Sequence, residues 1–404
     1  MSDDRLLELA AAFGTPLYIF DEAVLAARVD ALRRALPDVV DLCYAVKANT
    51  FIVPGLAGSV ERFEVCSPGE LAICEAVGAP ASDMVISGVY KDAATVEHAL
   101  AGPAMPAALT VESSSQLELI ADAAAAAGVR APVLLRLTSG NQFGLDRSEI
   151  LRAVDRFAED ERVELLGIQF FSGTQKTSLR RIGRELDRLD RLVAELVDEH
   201  GWAPGELEYG PGLPVSYFEA DRFDETALLA ELGDMLRGMA FGGRITLEIG
   251  RSIAASCGTY LTSVVDTKVN ASQRYAIVDG GMHQLVYYGH SMAMRQPPVR
   301  LLGAAGSSGA EQAQPWNICG ALCTINDILA KQLPVEGLDV GRVLAFETAG
   351  AYCVTEGMSL FLSRDLPAVV LLGVDGAPRL ARERMRTDVL NAPGGLASEL
   401  ERHQ

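Results

Sequence analysis

From about residue 20 to residue 250, short apolar runs alternate with longer amphipathic segments, and this alternation points to strands joined by helices. The runs are VDLCYAV (40–46), RFEVC (62–66), DMVISG (83–88), ALTVES (108–113), PVLLRL (132–137), ELLGIQFF (164–171), LEYG (207–210) and RITLEIG (244–250). Helical patterns at 68–78, 115–129 and 179–201 lie between them, each with a glycine at or next to its end, where helices commonly terminate. Eight strand–helix units over about 230 residues match the count and approximate length of a (β/α)8 barrel. A doubly wound sheet is the alternative that periodicity leaves open. After residue 252 the pattern becomes β-rich, at 259–269, 273–280, 342–352 and 368–376, with Gly and Pro between the runs. The expected class is α/β, a TIM-type barrel over 22–252, with 1–21 and 253–404 forming an antiparallel β domain. Residues 303–315 read as a polar loop of small residues, and 394–404 as a solvated end.

Composition narrows the function. The net charge of −19 disfavours nucleic acid and anionic lipid as partners. Seven cysteines, an odd number spread widely, do not make a disulfide framework. The acidic start MSDDRLLELAAAFGTPLY is not a signal peptide, and no uncharged stretch of 18 apolar residues occurs. A reduced, cytoplasmic protein is expected. Cys319 and Cys323, His283 and His290 fit no zinc spacing, so no metal is expected.

Four motifs carry chemistry. In YAVKANT, Lys47 follows an apolar strand and so would lie at the C-terminal mouth of a barrel, where a desolvated lysine can form a Schiff base. A lysine snorkelling from a strand end is the plain alternative. In GPGL, Gly210 and Gly212 follow a strand and would let backbone N–H groups approach a phosphate, or simply make a turn. In LEIGR, Glu248 lies within an apolar strand ahead of Gly250 and Arg251. A buried acid needs a partner, and either a pyridinium nitrogen or Arg251 would serve. In the β-rich region, GALCT around Cys323 and AGAYC around Tyr352 are small-residue loops suited to close approach.

In this order the motifs resemble the pyridoxal-phosphate decarboxylases of the alanine-racemase-like fold, the family of diaminopimelate, ornithine and arginine decarboxylases. The resemblance runs from GTPLYIFD (14–21) to DLPAVVLLG (365–373). It implies pyridoxal 5′-phosphate as cofactor, carried covalently on Lys47. It implies further cofactor contacts from Glu64 and Ser67 of FEVCSPGE, where the acid is usually Asp, and from Arg136, Gly210, Gly212, Gly250, Arg251 and Tyr352. Glu248 would pair with the pyridine nitrogen. Cys323 would be catalytic, delivered to the site by the partner in a homodimer with shared active sites, and Cys323 or Lys47 would return a proton after CO2 leaves.

Some positions depart from the family pattern. The motif HxHIGSQ reads Gln169-Phe170-Phe171-Ser172-Gly173-Thr174-Gln175, so Phe171 stands where a histidine stacks on the cofactor. An aromatic ring can still stack there, without a titrating group. Thr324 replaces the acid that holds a distal ammonium, and Tyr287 the arginine that grips a distal carboxylate. The GTQ, QFG, VDGGMH and CT variants look more like the branch that decarboxylates acidic amino acids tethered to an acyl-carrier protein. A carrier is acidic, so a local basic patch would be needed, for which Arg295 and Arg300 are candidates. The expected substrate is therefore a modified or carrier-tethered acidic amino acid. The alternatives are diaminopimelate, a racemase reaction, or an inactive regulator.

Overall fold

The structure, a computed structural model, describes residues 1–218, 221–287, 292–303 and 313–394. His290, most of the 303–315 segment and residues 395–404 lie outside the described residues. The chain divides into two compact units. One comprises Ala26–Val215 and Phe223–Ile253; the other comprises Met1–Leu25, Ser216–Arg222 and the chain from Ala254 onward. Ser216–Arg222 thus groups with the second unit, although it falls inside the 22–252 range expected for the barrel.

The second unit supplies the first strand, β1 (Leu17–Asp21). The first unit is a closed barrel of β2 (Val40–Ala45), β3 (Arg62–Val65), β4 (Met84–Ile86), β5 (Ala108–Val111), β6 (Ala131–Leu137), β7 (Val163–Phe171), β8 (Glu206–Gly210) and β9 (Arg244–Ile249). All pairs are parallel, and β9 returns to β2 from Val40↔Ile245 to Tyr44↔Ile249, which excludes the doubly wound alternative. The connecting helices begin and end on the expected chemistry. Asp146 and Glu149 form a capping box, Ser113 and Ser178 accept from backbone N–H groups, and Gly128 and Gly201 close helices in the left-handed region. The helix Leu179–His200 buries Ile182, Leu186, Leu189, Leu192 and Leu196, a spacing of three to four that places one stripe inward.

The barrel lumen is polar for a core. Cys43, Val85, Ala108 and Leu134 form a small apolar cluster. Arg62 and Glu206 make a two-pronged buried pair, one prong being Nη2 to Oε2 at 3.0 Å. Gly167, in register with Glu206, is obligatory, because a Cβ there would lie 1.8 Å from the Glu206 carbonyl oxygen.

The second unit carries a nine-stranded sheet of β1 with β10 (Gly258–Asn270), β11 (Gln273–Val278), β12 (Val299–Leu301), β13 (Gln314–Cys319), β14 (Ile328–Val335), β15 (Val343–Phe346), β16 (Ala368–Leu372) and β17 (Pro378–Arg382). It is mostly antiparallel, with parallel β1–β16 and β11–β13 pairs. Leu6 and Leu9 of the helix Asp3–Phe13 pack with Ile19, Leu261, Leu302 and Val370 in its core. Gln314 and Pro315 begin a strand rather than ending a loop. No helix among the described residues is long and apolar enough to cross a membrane.

Candidate active site

β2 ends in a tight turn, Val46–Ala48, which carries Lys47. The turn is fixed on its far side: Tyr44 donates to the Asn49 carbonyl at 3.0 Å, and the Asn49 side chain accepts from Phe51 N at 3.0 Å. Gly250 at the end of β9 leaves room for it, since a Cβ there would press on Ala45 and Ala48 at 3.1 Å. Lys47 Nζ consequently does not snorkel outward. It donates to Glu64, to Glu248 Oε1 at 3.3 Å and to Cys66 Sγ at 3.6 Å. Burial favours the protonated form of Glu64, but the Lys47 ammonium and hydrogen bonds outweigh it and hold that carboxyl well below the usual range. Burial, then the Glu64 charge, push Glu248 upward against the pull of Lys47. Glu248 takes a further hydrogen bond from Gln169 Nε2 at 3.0 Å. It is bound to Lys47 and Gln169, while Arg251 Nε reaches Thr174 Oγ1 at 3.3 Å.

A cavity of about 450 Å³ opens above this cluster, lined by Lys47, Glu64, Arg136, Phe171, Ser172 and Glu248 among others. Arg136 pairs with Glu112 at 2.7 Å and lies 4.9 Å from the Phe143 ring centroid. Ser67 also lines the cavity, but its oxygen is engaged as a helix cap, accepting from Glu70 N at 3.2 Å. Gly210 has no room for a Cβ, which would meet the Phe171 ring at 2.5 Å. Gly212 adopts φ +62°, and a Cβ there would lie 2.1 Å from the Gly173 carbonyl oxygen. The two glycine segments are therefore interleaved, with Lys176 N donating to Gly212 O at 2.9 Å. Pro211 offers no donor to this cradle.

Beneath the cradle is a network that sequence reasoning missed. Glu185 accepts from Lys176 Nζ at 2.8 Å, Tyr209 Oη at 2.8 Å, Arg181 Nε at 3.2 Å and the Ser172 hydroxyl. Burial lowers the Lys176 pKa, opposed by Glu185. Glu112, Gln169 and Glu208 were missed as well. Each is a polar residue within or closing an apolar run, the same signal that marked Glu248.

The remaining predicted residues lie in the second unit. Cys323 is exposed, Thr324 is partly exposed, and Ile325 beside them is 91% exposed. Their turn is shaped by Asp327, whose carboxylate accepts from Met282 N at 2.7 Å and Leu322 N at 2.8 Å. Tyr352 adopts φ +64° in a turn closed by Thr355 N and Glu356 N on its carbonyl, both at 2.9 Å. Tyr287 is fully buried against Tyr217 and Phe218, and its hydroxyl donates to the Glu347 carbonyl. Arg295 pairs with Asp221 at 2.9 Å, and Arg300 with Asp3 and Glu347. Both candidates for a basic patch are thus paired with carboxylates.

A barrel mouth that gathers a lysine amine between carboxylates, a buried acid below it and an interleaved glycine cradle beside an arginine has the parts needed to hold an aldehyde-and-phosphate cofactor with a basic ring nitrogen. Those requirements describe a pyridoxal-phosphate enzyme. Residues 22–255 match the profile of the family described as pyridoxal-dependent decarboxylase, pyridoxal binding domain, and the chain belongs to that family. It is 32% identical to the diaminopimelate decarboxylase of Pseudomonas aeruginosa, over 86% of this chain and 85% of that one. It is 25% identical to the L-glutamyl-(BtrI acyl-carrier protein) decarboxylase of Niallia circulans, over 95% of this chain and 94% of that one. The structure of diaminopimelate decarboxylase from M. jannaschii in complex with L-lysine matches with a TM-score of 0.83 at 25% identity, covering 94% of this chain and 92% of that one. The chain is a pyridoxal-phosphate-dependent amino acid decarboxylase.

Proposed function

We propose that this decarboxylase acts on an amino acid whose far end is neutral or masked, with an acidic amino acid tethered to an acyl-carrier protein as the favoured case. The observation that carries this is Tyr287. Where diaminopimelate decarboxylases present an arginine to a distal carboxylate, this chain has a buried phenol whose hydroxyl is already spent on a backbone carbonyl. Thr324 likewise offers no charge to a distal ammonium. A site that reads a charged group by hydrogen bonding discriminates strongly through that contact, and here the contact is missing. The paired states of Arg295 and Arg300 mean that a carrier would have to be held by other contacts or after those pairs open. Diaminopimelate itself is the second reading, favoured by the higher identity to decarboxylases of that substrate.

When bound, pyridoxal phosphate supplies a ring that accepts the electron pair left by carbon dioxide. In this reading the chain's residues bind and orient. Lys47 anchors the cofactor through its amine. Glu248 holds a proton on the ring nitrogen. Gly210, Gly212, Thr174 and Arg251 hold the phosphate, and Phe171 packs on the ring. Glu64 and Arg136 complete the walls. Cys323, supplied across a homodimer in the cytoplasm, returns a proton to the substrate carbon. Steady-state CO2 release from free diaminopimelate, lysine, ornithine and glutamate should be poor, and release from glutamyl- or aspartyl-loaded carrier protein higher. Turnover of free diaminopimelate at a rate normal for a biosynthetic enzyme would overturn the substrate assignment.

A further inference from the structure

Gln169 of β7 and Glu208 of β8 are register partners on adjacent strands, one row of the barrel lumen. The residues after them, Phe170 and Tyr209, stack at 6.4 Å on the opposite face, where Tyr209 reaches Glu185. Both inward side chains are buried, Glu208 at 0% exposure. Gln169 Nε2 donates to Glu248, but Gln169 Oε1 has no hydrogen-bond partner, and neither has either oxygen of Glu208. These three oxygens, and the unpartnered Thr246 hydroxyl in register with Glu208 on β9, are costly to leave unsatisfied unless a hydrogen is shared among them.

The surroundings decide which group carries it. Glu208 is faced by Glu248, Glu64, Glu206 and Arg62, by Cys43, and by Thr246 in register on β9. The one cation among them, Arg62, lies 3.9 Å away and already has both prongs on Glu206. A carboxylate so placed would be buried with no donor, whereas a carboxylic acid brings its own. Burial, reinforced by Glu248, Glu64 and Glu206, pushes Glu208 well above the usual carboxyl range. An amide has one donor end and one acceptor end. With its NH2 on Glu248, the Gln169 oxygen is left to take a hydrogen from Glu208. Burial and the Glu64 charge and hydrogen bond favour the acid form of Glu248, and Lys47, Arg136 and the Gln169 NH2 favour its carboxylate.

We propose that Glu208 is a neutral, proton-holding positioning residue that donates to Gln169 Oε1, so that Gln169 turns its NH2 to Glu248 and keeps Glu248 a carboxylate. The consequence for the cofactor rests on the reading of Glu248 as the ring-nitrogen partner. An ionised Glu208 would instead draw the Gln169 NH2 to itself and present the amide carbonyl to Glu248, which would then need a proton.

Two readouts test this in the holoenzyme. The infrared difference spectrum of wild type minus Glu208→Gln at neutral pH should show the carbonyl stretch of a buried carboxylic acid; a carboxylate signal in its place overturns the proposal. Gln169→Leu and Glu208→Ala should each lower kcat about tenfold or more, with KM little changed, the loss of one charge-assisted hydrogen bond. The acid-side pH transition in the bound cofactor's visible absorption should move up by on the order of one unit, because Glu248 then takes a proton more readily. Glu208→Gln, whose NH2 can still donate to Gln169, should recover most of what Glu208→Ala loses. Folded Gln169→Leu and Glu208→Ala enzymes with an unshifted transition would refute the coupling. A Glu248→Gln enzyme with an unaltered cofactor spectrum would remove the ring-nitrogen reading, and the infrared band would still decide whether Glu208 holds the proton.

Discussion

Replacing Glu185 by leucine tests the network under the phosphate cradle, and its two partners should respond unequally. Glu185 is contacted by four donors, from Lys176, Arg181, Tyr209 and Ser172. In Lys176→Met three of them remain, so the carboxylate stays solvated by the protein and the cost should be about 1–2 kcal/mol. In Glu185→Leu the Lys176 ammonium, its side chain 1% exposed, keeps no carboxylate partner, just Ser172 Oγ at 3.1 Å, the Gly210 carbonyl at 3.4 Å and the face of the Tyr209 ring at 5.4 Å. An uncompensated buried charge costs about 3–5 kcal/mol. The double variant, with both charges replaced by apolar groups, should be more stable than Glu185→Leu alone. Loss of Glu185 also removes what opposes the lowering of the Lys176 pKa. The folded value then falls further below the unfolded one, the unfolded chain binds more protons between the two, and the penalty shrinks as pH rises. Urea unfolding followed by fluorescence of Trp202 in a Trp316→Phe background would measure the barrel unit. Equal costs for the two single variants, or a double variant as unstable as their sum, would refute the reasoning.

Three further outcomes are expected. Borohydride reduction of the holoenzyme and peptide mapping should label Lys47, and label on another lysine would refute its role. Mixing Lys47→Ala with Cys323→Ala chains, each inactive alone, should restore activity at about a quarter of the sites in an ideal mixture, since one site of each mixed dimer holds both native residues; no recovery after proven subunit exchange would rule out shared sites. Lys91 is buried, donates to the Gly88 carbonyl at 2.7 Å, and is lowered to about 8 chiefly by burial. Because its folded value lies below the unfolded one, wild-type stability should gain on the order of 3 kcal/mol relative to Lys91→Met as pH rises from about 8 toward the ordinary lysine value near 10.4; parallel stability–pH curves for the two proteins would refute it.

The barrel was legible because most of its strands are dominated by apolar residues, and each observed strand falls within a few residues of its run, as with 164–171 against Val163–Phe171. The second sheet was only half legible. Its strands at 299–301, 314–319, 328–335 and 378–382 are short or mixed in polarity. ILAKQLPV shows the burial pattern of a sheet that is wet on one face, and PRLAR is exposed along nearly its whole length. Lys47 and Glu248 could be found because a charge in an apolar run is conspicuous. Lys176 and Glu185 could not, since both sit among other charged residues of TQKTSLRRIGRELDR and only tertiary packing buries them. The commitment of Tyr287 and Arg295 to neighbours distant in sequence was invisible for the same reason.

The turn that presents Cys323 has an evolutionary consequence. Asp327 occupies the space that side chains at Gly281 and Gly320 would need, with a Cβ at those positions 2.6 Å and 2.3 Å from its carboxylate. Three chain segments are thereby locked into one mutational unit, in which no member can drift unless the others change with it. At the tip that unit displays, Thr324 is tied into the turn through its hydroxyl, which accepts from Asn326 N at 3.3 Å, but Ile325 bears no such debt and is almost wholly in solvent. A lineage can therefore exchange the side chain offered at Ile325 while inheriting the frame intact, so divergence in what the tip recognises beyond Cys323 should outpace divergence in how it is held.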